Sequence, residues 1–176
     1  MSKFIYLTVF LCVLSSKSFA EDPVASPATS GDWQIVCTQS AAKEAPADAS
    51  EAQGCRMAQS LVSASSGEPV SILRVFAGKR PSLLLRTPLN VFLKTGVLLQ
   101  IDKGKRFAFA FEFCDKSGCY AGVPLSKALL SGFKRGNKAR VSLRTTHGKE
   151  LALTYSLKGF TKIYRLLQAQ RADQKN

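Results

Sequence analysis

The feature that most constrains the fold is the segment R-F-A-F-A-F-E-F-C-D-K-S-G-C, residues 106–119. Its four phenylalanines alternate with small or charged residues, which is typical of a strand with one buried face. We therefore predict a strand whose ring-bearing side chains turn inward. They are Phe107, Phe109, Phe111 and Phe113. The residues D-K-S-G predict a turn, with Gly118 suited to a positive φ, and C-Y-A-G-V-P-L is the returning strand.

Cys114 and Cys119 then face each other across the predicted hairpin, at a separation that a disulfide can bridge. A redox pair would require C-x-x-C at the start of a helix, whereas here four residues separate the cysteines and both flanks resemble strands. A zinc site would require two further ligands, and His147 is the only histidine of the chain. The spacing favours a structural disulfide over a redox or metal site.

The first twenty residues have the organisation of a secretory signal peptide. Lys3 is followed by the ten-residue apolar run I-Y-L-T-V-F-L-C-V-L, which is too short to cross a bilayer comfortably, and small residues precede a cleavage site after Ala20. We predict removal of residues 1–20, a disordered leader at 21–30, a single domain at 31–170 and a polar tail at 171–176. No transmembrane segment is expected in the mature chain.

Cleavage removes Cys12 and leaves four cysteines, an even number that predicts two disulfides in an oxidising compartment. Four cysteines allow three pairings; once Cys114–Cys119 is assigned, Cys37 pairs with Cys55 by elimination. The seventeen residues between them are rich in Ala, Ser, Glu and Asp and lack apolar periodicity. They predict an exposed loop.

The rest of the mature chain predicts short strands separated by turns. D-W-Q-I-V-C-T-Q alternates with Trp33, Ile35 and Cys37 inward, and the prolines around S-L-L-L-R-T suggest an edge strand or a bend. Two helices are expected, one capped by Ser126 and a C-terminal one capped by Thr161. Eight or so short strands with two short helices predict a mostly β fold, an antiparallel β-sandwich.

Positive charge is concentrated in the second part of the mature chain. Residues 21–68 contain seven acids and two bases, whereas residues 69–176 contain five acids and twenty-one bases. This balance favours an anionic partner such as a lipid headgroup, lipopolysaccharide or glycan, and export argues against nucleic acid. The alternative is a solvated basic surface. The densest group of cations, which we predict as the anion-binding site, is Lys134, Arg135, Lys138, Arg140 and Arg144.

No residue pattern points to catalysis. Ser131-x-x-Lys134 and Lys94-Thr95-Gly96 match two signatures of serine penicillin-recognising enzymes, but their order is reversed and the third signature is missing. His147 lies in a predicted hairpin turn, where an exposed polar residue is more typical than a general base. We predict no catalytic residue, no cofactor and no metal site.

The motifs G-D-W-Q-I-V-C, G-C-x-M, G-V-L-L-Q-I-D, F-x-F-E-F-C-x4-G-C-x-A and Y-S-L-K-G-F, in this order, resemble the invasion-associated locus B family of bacterial exported proteins. The resemblance extends from Gly31 to Leu167. It implies an immunoglobulin-like β-sandwich with two disulfides in the periplasm or on the outer surface of a Gram-negative bacterium, without established catalytic residues. The sequence departs from the family at T-P-L-N-V, where Asn90 stands in place of the usual glycine.

We therefore predict an exported binding or envelope protein that is not an enzyme. In some pathogens the family is linked to entry into host cells. Two alternatives stay open: a periplasmic folding helper that acts through exposed strand edges, and an unusual thiol-redox or hydrolytic enzyme. The sequence specifies no protein partner.

Overall fold

In the computed structural model of the protein, residues 28–38 and 54–173 are described, so the predicted signal peptide and most of the 38–54 loop lie outside the described residues. The strands are β1 (Thr29–Ser30), β2 (Trp33–Thr38), β3 (Gly54–Val62), β4 (Pro69–Phe76), β5 (Ser82–Thr87), β6 (Val97–Ile101), β7 (Arg106–Phe109), β8 (Phe113–Asp115), β9 (Gly118–Pro124), β10 (Lys138–Arg144) and β11 (Glu150–Ser156). The helices are α1 (Lys127–Arg135), α2 (Phe160–Asp173) and a short 3-10 helix (Leu93–Thr95).

The strands form two antiparallel sheets whose apolar faces share one core. The larger sheet has seven strands in the order β1-β2-β3-β4-β5-β9-β8, and the smaller has four in the order β11-β10-β6-β7. Alternate residues of both sheets are buried, as in L-R-V of β4, L-L-L of β5 and V-L-L of β6. The predicted antiparallel β-sandwich with two helices, the last one C-terminal, is confirmed.

Hydrogen bonds from buried polar side chains join the two sheets. The Ser156 carbonyl of β11 accepts from Trp33 Nε1 (2.9 Å) and from Gln59 Nε2 (3.0 Å), and Gln59 Oε1 accepts from the Ser156 N–H (2.9 Å). Further along the core, the hydroxyls of Ser71 and Tyr155 lie 2.5 Å apart. A buried polar group is costly unless it is paired, so these contacts also fix how the sheets align.

The phenylalanine-rich segment is divided between the sheets, and the prediction of one continuous strand is wrong. β7 ends at Phe109 in the smaller sheet, and β8 begins at Phe113 in the larger one. Phe107, Phe109 and Phe111 are half-buried against the core, as predicted. Phe113 is 53% exposed and stacks on Tyr120 with ring centroids 4.6 Å apart. Its predicted inward orientation is wrong because alternation does not continue in phase once the chain changes sheets.

Two further strand predictions need correction. β5 pairs with β4 and β9, so it is a central strand, and the prolines at 81 and 88 lie outside its ladder and do not make it an edge. In β2, Trp33 and Ile35 are buried as predicted, but Cys37 is exposed. Cys37 is opposite Cys55 near the end of the strand pair, and of the two only Cys55 is buried.

The helices connect the basic segment to the core. Ser126 caps α1, its hydroxyl accepting from the Leu129 N–H at 3.2 Å, as predicted. Helix α2 begins at Phe160, so Thr161 is not its cap; the Thr161 hydroxyl instead donates to the Lys134 carbonyl at 3.0 Å. The predicted apolar face of α2 is buried, through Ile163, Tyr164 and Leu167. None of the helices in the described ranges is long and apolar enough to span a membrane.

Candidate anion-binding face

The outer side of the four-stranded sheet carries three arginines around an open depression. The strand register places Arg140 of β10 opposite Gln100 of β6, and Gln100 opposite Arg106 of β7. Arg144 lies four residues beyond Arg140 on the same side of β10, and all three arginines are exposed. We call this surface the arginine face, defined by Arg106, Arg140 and Arg144. The depression has a volume of about 740 Å³.

The alternating sequence of β10 produces this arrangement. In K-A-R-V-S-L-R the residues Ala139, Val141 and Leu143 are buried in the core, so the intervening side chains turn to solvent. The middle of the face is formed by Leu98, Ser142 and Gln100, which are too short to cover the guanidinium groups. The depression therefore offers cationic groups at its border and neutral groups at its floor.

The acidic groups of the depression differ in what they contact. Asp102 accepts hydrogen bonds from the backbone N–H groups of Asn137 and Lys138, at 3.0–3.2 Å. Glu150 is the cross-strand partner of Arg144 at the opposite border. Within the described ranges, no ion pair joins a carboxylate to any guanidinium of the arginine face. The three cations are therefore available to an external anion.

The structure divides the predicted group of five cations. Arg140 and Arg144 lie on the arginine face, and Lys138 projects from the same side of β10. Lys134 and Arg135 lie instead in the last turn of α1, where both are exposed, and the Lys134 ammonium is 5.0 Å from the centre of the Tyr164 ring. Such a cation–π contact holds Lys134 against α2. These two residues are not among those that line the depression.

Arg106 is the residue of the arginine face that sequence reasoning missed. It lies just after the D-K-G-K turn, and the β6–β7 hairpin register places it beside Gln100. That register could have been estimated from the turn. The pairing of β6 with β10, which brings Arg106 to the side of Arg140, joins segments far apart in sequence and has no local signal.

A second group of arginines lies on the outer side of the larger sheet. Arg56, Arg74 and Arg86 come from the adjacent strands β3, β4 and β5, and all three are half-buried. Burial is the main cause that lowers the pKa of Arg74, and the positive charges of Arg56 and Arg86 lower it further. An Nη of Arg86 donates to the Pro69 carbonyl at 3.0 Å. Because each side chain is partly buried, this group is less accessible than the arginine face.

The four cysteines form the two predicted disulfides, Cys37–Cys55 and Cys114–Cys119. Each bond joins directly opposite residues of an antiparallel pair, with Cα atoms 4.0 Å apart. In the described part of the chain, no cluster of three or more His, Cys, Asp or Glu side chains could hold a metal ion. His147 is exposed in the β10–β11 turn, as predicted.

Comparison with known proteins agrees with this architecture. A crystal structure of invasion associated protein B from Bartonella henselae matches with a TM-score of 0.71 and 20% sequence identity, over 84% of this chain and 99% of that chain. At this identity the match shows the fold alone. No curated protein matches the sequence. The family model for invasion associated locus B (IalB) protein matches residues 33–168. The chain therefore belongs to the invasion associated locus B family.

Proposed function

We propose that this protein is an exported binding protein, not an enzyme, that contacts an anionic component of the cell envelope or of a host surface through its arginine face. The ligand is a lipid headgroup, lipopolysaccharide or a sulfated or acidic glycan. The observation that carries the proposal is the placement of three exposed arginines, unpaired with any carboxylate in the described ranges, around one open depression. Guanidinium groups match the geometry of phosphate, sulfate and carboxylate oxygens.

The family and the disulfides support the export part of this proposal. Two disulfides are typical of proteins of oxidising compartments, and the family is not known as an enzyme family. Disulfides and family membership together favour an exported protein. Either the periplasm or the outer surface of a Gram-negative bacterium would bring the arginine face close to abundant anionic groups.

The spacing of the arginines indicates what kind of anion is preferred. Arg106 and Arg140 are two strands apart, which places their backbones about 10 Å apart. Arg140 and Arg144 are four residues apart on one strand, or about 13 Å. Side chains that extend straight from the sheet at these separations present three separate points of contact. The arrangement is suited to a ligand that carries several anionic groups, or to a surface of them.

Retention on a heparin matrix tests the proposal, with heparin as a probe for polyanions. The triple variant R106E/R140E/R144E should elute at much lower salt than the wild type, because each phosphate- or sulfate-like contact contributes to the salt dependence. The matched control is K127E/K162E/R165E, which changes the net charge equally at exposed positions of the two helices. The control should elute much closer to the wild type.

Equal losses of retention in the two triple variants would contradict the proposal. In that case binding would follow the net charge of the protein and would not depend on the arginine face. Circular dichroism of both variants checks that the sandwich is intact before retention is compared.

A further inference from the structure

The loop between β5 and β6 exposes three large apolar side chains within five residues. Leu89 is 47% exposed, Phe92 43% and Leu93 49%. We call these three residues the apolar tip. Single exposed apolar residues are normal on protein surfaces, whereas a contiguous group of them marks an interaction site. The arginine face does not explain this group, since none of the three residues lines the depression.

The apolar tip is held in place and does not fold back onto the protein. Val91, in its middle, is buried and bridges to Thr145. The Phe92 N–H donates to the Arg144 carbonyl at 2.7 Å, and the Thr146 N–H donates to the Asn90 carbonyl at 2.9 Å. The backbone of the β10–β11 hairpin therefore fixes the loop on one side.

Two backbone conformations fix the loop at either end. Asn90 has φ +64°, in the left-handed region that glycine and asparagine tolerate best. This accounts for Asn90 at a position where glycine was expected. Gly96 has φ +62°, and a Cβ there would lie 2.3 Å from the Phe109 carbonyl oxygen, so only glycine fits. The loop is thus built to present its apolar side chains outward.

Cations border the apolar tip. Lys94 follows it directly in sequence, Arg144 contacts it through the backbone, and Lys149 lies across the hairpin turn; all three side chains are exposed. The depression of the arginine face reaches the same loop at Thr95 and Gly96. Apolar side chains surrounded by cations are complementary to a surface that offers anions outside and hydrocarbon beneath. A soluble glycan offers the anions alone and would leave the apolar tip in water.

We propose that the apolar tip inserts into the interfacial region of an anionic lipid bilayer, while Lys94, Arg144 and Lys149 contact the headgroup phosphates. This inference rests on the proposed function and selects the lipid headgroup as its anionic ligand. Leu89, Phe92 and Leu93 enter the boundary between headgroups and acyl chains, a depth of about 5–10 Å for amphipathic segments of this kind. The arginine face then lies against the membrane surface beside the point of insertion.

Sedimentation with vesicles tests the inference. Wild-type protein should bind vesicles made of equal parts phosphatidylcholine and phosphatidylglycerol, and should not bind vesicles of phosphatidylcholine alone. The variant L89S/F92S/L93S should lose about tenfold or more of its vesicle binding, because the apolar area removed from water contributes directly to membrane affinity. Its retention on heparin should stay at the wild-type level. Each of K94Q, R144Q and K149Q should weaken vesicle binding about fivefold.

The matched control removes exposed apolar side chains elsewhere. Val62 at the end of β3 and Leu166 on α2 are 58% and 40% exposed. The variant V62S/L166S should bind vesicles like the wild type. A lipid-depth measurement adds a direct readout: the variant F92W should show a blue-shifted emission on binding, and lipids brominated near the headgroup should quench it. Trp33, the only tryptophan of the chain, is 1% exposed and contributes a constant background.

The outcomes separate the inference from the proposed function. If L89S/F92S/L93S binds anionic vesicles as tightly as the wild type while R106E/R140E/R144E does not, insertion is overturned and anion binding by the arginine face stands. If the arginine variant also keeps its heparin retention, the proposed function fails. If the wild type ignores vesicles and is a dimer that L89S/F92S/L93S converts to a monomer, the apolar tip is a contact between two copies and the inference is wrong.

Discussion

The two disulfides should stabilise the protein to different extents because they close loops of different length. Both join opposite residues of an antiparallel strand pair, and each has one exposed and one buried cysteine: Cys37 with Cys55, and Cys114 with Cys119. Removing either bond therefore changes packing by a similar amount. The bonds differ in the length of the loop that each closes: the sequence separation is 18 for Cys37–Cys55 and 5 for Cys114–Cys119.

The expected difference follows from the entropy that each bond removes from the unfolded chain. On the chain-entropy relation the longer closure contributes about 3.2 kcal/mol and the shorter one about 2.1 kcal/mol at 25 °C. The variant C37A/C55A should therefore be less stable than C114A/C119A by about 1 kcal/mol. Alanine is the suitable replacement because serine would place a hydroxyl at the buried positions 55 and 119.

Guanidinium denaturation followed by Trp33 fluorescence measures the difference. Trp33 is buried against Phe160, with ring centroids 5.1 Å apart, so its emission reports loss of the core between β2 and α2. Both variants must unfold with the same denaturant dependence for their free energies of unfolding to be compared.

Equal destabilisation, or a larger loss for C114A/C119A, would refute the reasoning from loop length. The short edge strand β8 pairs only with β9, so its detachment would be the first explanation to examine. Hydrogen exchange at the Tyr120 N–H and at its neighbours would show whether β8 separates while the rest of the sheet persists.

Two further predictions concern a buried tyrosine of the core and two glycines at hairpin turns. Burial raises the pKa of Tyr155 above its ordinary value of 10.0, so its hydroxyl ionises near pH 10 only in the unfolded chain; wild-type stability should be intact below pH 10 and fall above it. Tyr155→Phe loses the contact with Ser71, which should lower the free energy of unfolding by about 1 kcal/mol at neutral pH. Above pH 10, thermal unfolding should show that the stability of this variant declines less steeply with pH than that of the wild type. Identical slopes for the two proteins would contradict this assignment. Gly118→Ala should lower the free energy of unfolding by 2 kcal/mol or more, on the order expected for backbone displacement, because its Cβ would lie 2.2 Å from the Thr87 carbonyl oxygen. Gly148→Ala, with positive φ but open space, should lose only about 1 kcal/mol, and chemical denaturation showing equal losses would rule out the steric explanation.

Much of the fold could be predicted because its signals are local. The hairpins β8–β9 and β10–β11 join consecutive strands across short turns, and in β10–β11 the period-two pattern marks which side is buried. The cap of α1 at Ser126 was likewise a local feature. The alternation of apolar and other residues does not, however, indicate to which sheet a residue belongs. The run from Phe107 to Phe113 therefore looked like one strand although the chain changes sheets within it.

The candidate site could be predicted only in part, for the same reason. Arg140 and Arg144 share a strand, so sequence spacing alone placed them on one side. Arg106 joins them through β6, which pairs with β7 nearby and with β10 far along the chain. Lys134 and Arg135 are close to β10 in sequence, but the helix ends before the sheet begins. Their proximity to β10 in sequence therefore led to the prediction that they belong to the site, although they do not line the depression.

The two lateral edges of the smaller sheet are both secured to the larger one. On one side Trp33 and Gln59 bond to the Ser156 carbonyl of β11; on the other the chain itself passes from β7 to β8 through residues 110–112. A partner bound to the outer side of the smaller sheet would therefore transmit an applied force to both sheets. Shear or pulling at the proposed attachment would then act against the packing of both sheets and not of the smaller sheet alone.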